Sequence, residues 1–354
     1  MQEFIYSTSP MRVVFGVGTI SCVPDELERL GISRALVLAT PRQQAALGDL
    51  ASLTGARMAG VFGAAIVHTP LEVTDRAMHV VDEVKPDGIL AIGAGAATGL
   101  SKAIALRTDL PQLVLPTSYA GSEMTPVLGE TRDGVKTTQS SPKILPEAVI
   151  YDVNLTLSMP PRFSVLSGFN AMAHALEALY ARDRNPIITL MAQEAIAKLA
   201  AALPEASARP DDLAARTDAL YGAWLSGVCL GSVGMALHHK LCHTVGALFD
   251  LPHAETHTVL LPHTIAYNSR AASDALGRAA RALDASDAAS GVFELEKRLG
   301  MPGSLAEIGM PEDGIGRAAE LAMKNPYWNP RPLEQDAIRD LLRRAWWGAP
   351  PQLP

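Results

Sequence analysis

Along the first ~150 residues, short apolar runs alternate with amphipathic stretches, the rhythm of strands and helices in turn. Arg34-Ala-Leu-Val-Leu-Ala-Thr40 is apolar, short and ended by Pro41, as expected of a buried parallel strand. Asp87 to Gly93, Gln112 to Thr117 and Glu147 to Asp152 read the same way, and Thr74 to Val84 has helical spacing. Strand, helix, strand in this order implies a mostly parallel sheet with helices on its faces. The texture changes at Leu157-Ser-Met-Pro-Pro-Arg162, where two prolines interrupt regular structure. Beyond it, Phe169–Arg182, Ile187–Leu203, Asp212–Leu230 and Met235–Phe249 carry helical apolar spacing, and a charged amphipathic helix is expected over Leu333–Trp347. The expected organisation is an α/β domain with a mostly parallel sheet over residues 1–157, then an all-α domain over residues 158–354.

The loops at the carboxyl ends of these strands carry the first chemical signal. The strand ending at Ile92 opens onto Gly93-Ala-Gly-Ala-Ala-Thr-Gly99, with a helix expected from about Leu100. Gly93, Ala94, Gly95 and Ala96 let backbone N–H groups approach a pyrophosphate, and a following helix N-terminus favours the anion. A tight strand–helix turn packed with small residues would look the same. A second loop, Pro116 to Thr125, is rich in hydroxyls suited to phosphate and ribose, with Thr117 and Ser118 foremost. Two such loops in one half point to a dinucleotide. No acid follows the strand ending at Ala39, where Thr40, Pro41 and Arg42 stand. An acid there would repel a 2′-phosphate, so NADPH is expected to be accepted alongside NADH.

The second signal is histidine. Of nine histidines, six lie between His238 and His263. Asn170 with His174, and His239 with His243, have i, i+4 spacing and share helix faces, and His253 follows. Imidazoles so spaced first suggest a metal site, while a single histidine is more often a hydrogen-bonded structural residue. His257, His263, His68 and His79 are read in that structural sense.

The net charge of −7 and the lack of a basic tract argue against nucleic acid or an anionic membrane as partner. Cys22, Cys229 and Cys242 fit neither a CxxC pair nor a disulfide framework. They read as reduced thiols, with a reactive thiol at Cys242 the lesser alternative. No signal peptide or membrane-length apolar run is apparent, so a cytoplasmic location is expected.

Phe15-Gly-Val-Gly18, the Gly93–Gly95 loop, Pro116–Thr125, Leu145–Asp152, Gly168–His174 and His239–His263 together resemble the iron-containing alcohol dehydrogenase family, nearly end to end. The resemblance implies a dehydroquinate synthase-like architecture, a Rossmann-like coenzyme domain, a homodimer, and Lys136 near the nicotinamide ribose. The family's metal ligands match Asn170, His174, His239 and His253, so an amide stands where a carboxylate is the rule. Gly99 in place of the usual Asp, the altered second loop and Asn329-Pro-Arg-Pro332 resemble the branch of the family that reduces maleylacetate, a dicarboxylate, to 3-oxoadipate with NADH or NADPH in aromatic catabolism.

With the anionic ligand missing, no metal is expected. His243 would then be the general acid, and His174, His239, His253 and Asn170 would hold the anionic substrate or an enolate oxygen. A metal-dependent alcohol dehydrogenase remains the alternative. A lyase of the related synthase architecture and a non-catalytic binder are more distant ones.

Overall fold

The computed structural model describes residues 4, 6, 7, 9–43, 47–132, 135–324 and 327–354, with the side chains of Leu47, Asp49, Val135 and Lys136 outside that description. The chain divides into two compact units, Ser7–Met159 and Pro160–Pro354, the second taking in the described residues of Met1–Tyr6.

The first unit holds a six-stranded sheet. Its strands are β1 (Arg12–Gly16), β2 (Ala35–Leu38), β3 (Met58–Phe62), β4 (Gly88–Gly93), β5 (Gln112–Pro116) and, after an antiparallel hairpin of β6 (Val127–Arg132) and β7 (Val135–Ser140), β8 (Ala148–Asp152). They lie in the order β1-β8-β5-β4-β2-β3, and every pair is parallel. β2, β4, β5 and β8 are buried throughout, which is why each reads as an unbroken apolar run. β1 and β3 sit at the edges and are only partly buried, and neither shows a run or an alternation that announces it. Helices α1 (Val23–Arg29), α2 (Leu47–Thr54), α3 (Leu71–Val84) and α4 (Gly95–Thr108) connect the strands. The path leaves β2 towards β3 on one side, and leaves β4 towards β5 on the other. The topological switch point therefore falls between β2 and β4, where such sheets open a ligand crevice.

α4 begins at Gly95, not near Leu100. Gly95 and Gly99 lie inside this helix, and at Gly99 the helix presses against the Thr69 side chain. A Cβ at Gly99 would lie 2.4 Å from Thr69 Oγ1. Asp152, at the end of β8, accepts from the backbone N–H groups of Gly18 and Ile20 at 2.9 and 2.7 Å. That contact gives the Phe15–Gly18 motif a structural role.

The second unit is helical. α5 (Pro161–Tyr180), α6 (Pro186–Ala208) and α7 (Leu213–Ser232) pack together, followed by α8 (Leu237–Phe249), α9 (His253–Asn268), α10 (Ser273–Ala282), α11 (Ala288–Arg298), α12 (Gly314–Ala322) and α13 (Gln335–Trp347). The prolines at 160 and 161 start α5 instead of ending structure. Pro161 occupies N1, where its missing N–H costs nothing. α9 to α12 were not anticipated. α9 carries Pro262 in its interior and is buried on all sides from Thr256 to Asn268, so it shows no amphipathic stripe. α6 is long and apolar enough to span a membrane, against the expectation that no segment is. Its buried residues, among them Ile188, Ala192, Ala195, Leu199 and Leu203, recur at helical spacing as one face of a core helix.

α5 and α6 approach closely at Gly168, where a Cβ would fall 2.3 Å from Leu203 Cδ2. Gly168→Ala should overpack this contact and cost about 1–3 kcal/mol. Thermal denaturation would show it as a lower Tm, by roughly 2–4 °C per kcal/mol.

Candidate active site

In the first unit, the expected coenzyme residues converge at the carboxyl ends of the strands. Gly93 ends β4, Ala94 is the N-cap of α4, and Gly95 and Ala96 form its first turn. Ala94 has no side chain to cap the helix, so its leading N–H groups remain for an anion. Nothing lies within 4 Å of a Cβ at Gly95, so the space above this turn is open. The Thr117 N–H donates to Gly93 O at 3.0 Å, bringing the second loop beside the first. Thr40 joins them through Gln43. Its hydroxyl donates to Gln43 Oε1 at 2.8 Å, and Gln43 Nε2 donates to Thr117 Oγ1 at 2.8 Å. Ser118 is buried. Lys136 lies on β7, and its side chain is outside the described residues.

Sequence reasoning missed Lys102. It is fully buried, and its ammonium donates to the carbonyls of Ser122, Thr125 and Val127 and to the Thr125 hydroxyl. Burial pushes its pKa down to about 7, opposed by nearby Glu123. Glu123 accepts from Tyr151 at 2.8 Å, and burial pushes its carboxyl up. These groups fix the hydroxyl-rich loop from beneath.

In the second unit, α5 supplies Asn170, His174 and Glu177; α8 supplies His238, His239, Cys242 and His243; α9 supplies His253 and His257. His174 and His239 stack with ring centroids 5.1 Å apart. His239 and His257 lie 5.0 Å apart, and His243 and His253 stack at 6.4 Å. The four expected histidines thus share one cluster, joined by His238 and His257, and Asn170 lies one turn before His174 on α5. His257 was read as an ordinary structural residue, yet it belongs here, as does His238. The signal for both was helical spacing: His257 follows His253 by four, and His238 precedes Cys242 by four.

The cluster is graded. His243 and His253 are exposed, while Asn170, His174, His238, His239 and His257 are buried. Burial first, and neighbouring imidazoles second, push the pKa values of His174, His238 and His257 well below the ordinary histidine value. Burial thus disfavours the charged form of all three.

The hydrogen bonds assign tautomers. Thr264 Oγ1 donates to a carbonyl of its own helix and accepts from His238 Nδ1 at 3.1 Å. His238 Nε2 must then accept from His257 Nδ1 at 3.0 Å, leaving His257 Nε2 as a lone pair. Glu177, fully buried, accepts from His239 Nδ1 at 2.6 Å and from the backbone N–H groups of Ala236 and His238. His239 Nε2 is likewise left bare. Asn170 Oδ1, His174 Nδ1, His239 Nε2 and His257 Nε2 are all buried without a partner. Each unmade bond costs about 1–3 kcal/mol, so four on neighbouring side chains mark a place built for a ligand.

At the positions matching the family's metal ligands, an amide at 170 replaces the carboxylate, which weakens the set for a divalent ion. Among the described residues, the metal-capable atoms gathered within 4.8 Å of one another belong to His238, Cys242 and His257, none of them in the expected ligand set. That trio is itself a hydrogen-bonded relay, with a proton between the two imidazoles. Burial holds the Cys242 thiol protonated, which also removes the reactive-thiol reading. The positions matching the family's ligands offer an amide and three imidazoles, and the nearest carboxylate, Glu177, is engaged on the far nitrogen of His239.

Residues 10–153 match the family described as iron-containing alcohol dehydrogenase, and residues 164–346 match the C-terminal part of the Fe-containing alcohol dehydrogenase family. The chain belongs to the iron-containing alcohol dehydrogenase family. Members of this family are oxidoreductases, and so is this chain. It is 55% identical over 352 residues to a maleylacetate reductase of Rhizobium sp. (strain MTP-10005), covering 99% of this chain and 100% of that one. It is 52% identical to a maleylacetate reductase of Sphingobium indicum, covering 99% of each. The crystal structure of maleylacetate reductase from Agrobacterium tumefaciens superposes with a TM-score of 0.97 at 55% identity, over 99% of this chain and 100% of that one. An iron-containing alcohol dehydrogenase from Corynebacterium glutamicum gives a TM-score of 0.93 at 38% identity, over 98% and 97% of the two chains.

Within this oxidoreductase, Glu177→Gln should place an amide N–H against one of the donors that face the carboxylate. A loss of about 1.5–3 kcal/mol is expected in denaturant unfolding. A second outcome concerns acid. Burial pushes His263 down to about 4 from an ordinary 6.5. A histidine that binds its proton less readily when folded stabilises the fold above the unfolded value. That stability is lost as pH falls from about 6.5 towards 4. Thermal melts across this window should show a falling Tm, with a shallower fall in His263→Gln.

Proposed function

We propose that this oxidoreductase is an NADH- or NADPH-dependent maleylacetate reductase that yields 3-oxoadipate without a metal. The observation that carries the proposal is an imidazole cage with an amide at position 170, in a chain alike from end to end to proteins named for that activity.

Gly93, Ala94, Gly95 and Ala96 would hold the coenzyme pyrophosphate, and Thr40, Thr117, Ser118 and Lys136 its ribose groups. The reduced coenzyme, when bound, supplies a hydride to the alkene carbon β to the substrate's ketone. The π electrons move towards the ketone oxygen, and an enolate forms on the substrate. Asn170, His174 and His253 line the place for the substrate. His239 is the imidazole suited to donate to the enolate oxygen. Glu177 at 2.6 Å balances the positive charge it needs for that, as a carboxylate does for a catalytic imidazolium. His243, one turn on and exposed, is suited to exchange protons with solvent and to deliver one to the α-carbon. Hydride and proton together saturate the carbon–carbon bond and leave oxidised coenzyme.

The unpartnered nitrogens also favour a second reading, a metal-dependent alcohol dehydrogenase. Freshly generated maleylacetate, reduced coenzyme and a chelator separate the two. Oxidation of the coenzyme, followed by absorbance, should proceed equally with and without chelation. Activity lost on chelation and restored by zinc or iron would select the second reading. His243→Ala should lower turnover about 10²–10⁴-fold, and unchanged turnover would remove His243 from the mechanism.

A further inference from the structure

Gln43 occupies the crevice at the switch point. Its Oε1 accepts from the Thr40 hydroxyl at 2.8 Å and from the Thr40 N–H at 3.4 Å, at the end of β2. Its Nε2 donates to Thr117 Oγ1 at 2.8 Å, beyond the end of β5. Between them the amide lies over the end of β4, where a Cβ at Gly93 would fall 2.6 Å from Gln43 Oε1. One neutral side chain therefore bridges three strand ends and engages two hydroxyls suited to a coenzyme. In doubly wound sheets the strand beside the pyrophosphate loop ends at the adenosine ribose, where an acid commonly selects NADH. Here that strand is β2, and Thr40-Pro-Arg-Gln43 contains no acid.

We propose that Gln43 meets the adenosine ribose of the coenzyme, and that its uncharged amide leaves the 2′ position open to either hydroxyl or phosphate. In the resting protein Gln43 satisfies Thr40 and Thr117. Ribose oxygens take over those bonds when coenzyme enters. The proposal rests on the coenzyme reading above.

The test is equilibrium binding of NADH and NADPH, followed by nicotinamide fluorescence, to wild type and two charge variants. Gln43→Glu is nearly isosteric, and the hydroxyls of Thr40 and Thr117 can both donate to its carboxylate. It should weaken NADPH about tenfold or more relative to NADH, because a carboxylate and a 2′-phosphate repel in the crevice. Gln43→Arg should move the ratio of Kd values the other way. Circular dichroism checks that each variant is folded, and the opposed shifts allow either one to decide. A ratio unchanged in a folded variant would overturn the role of Gln43. No fluorescence change on wild type with either coenzyme would defeat the coenzyme reading itself, and this proposal with it.

Discussion

A buried carboxylate organises the helical unit. Glu177 has no exposure to solvent, so its charge must be met by donors of the protein. It finds them in the first turn of α8, where the N–H groups of Ala236 and His238 lack helical partners, and in the His239 ring. The contact sets where α8 starts relative to α5. It also brings His239 against His174 and fixes which nitrogen of His239 faces the unpartnered groups. If Glu177 were apolar, α8 would lose its cap and His239 its orientation together.

From that constraint follows a division of labour among the histidines. Those beneath are pushed towards the neutral form by burial and by each other, and they present lone pairs held in place by a relay ending at Thr264. Those at the surface, His243 and His253, remain in contact with water, the source of protons. The charge that an acid at position 170 would have placed among the imidazoles sits instead behind one of them. The first unit also holds a buried charged group: Lys102 pins the hydroxyl-rich loop from below through the carbonyls of Ser122, Thr125 and Val127 and the Thr125 hydroxyl.

Much of this was legible in the residues. The four central strands were readable because parallel strands covered on both faces must be apolar throughout. The small residues after β4 and the hydroxyls after β5 marked the strand ends that gather at one crevice. Asn170 stood out against the ligand pattern it interrupts. The edge strands β1 and β3 and the helix α9 were not readable, since partial burial or burial on every side erases the periodicity on which such reading depends. The prolines before α5 misled because proline ends a helix only when it falls inside one.

Sequence alone determined the order of the two units, the class of each, and most of the side chains available for chemistry. These follow from local patterns: apolar runs, helical spacing and residue types. Tertiary structure decided which nitrogen of each histidine is bonded, that His257 and His238 join the cluster, that Glu177 stands behind His239, and that Gln43 spans three strand ends. Each of those depends on a contact between segments far apart in the chain. Hydrogen-bond direction and burial are properties of the assembled neighbours, and no single stretch of residues contains them.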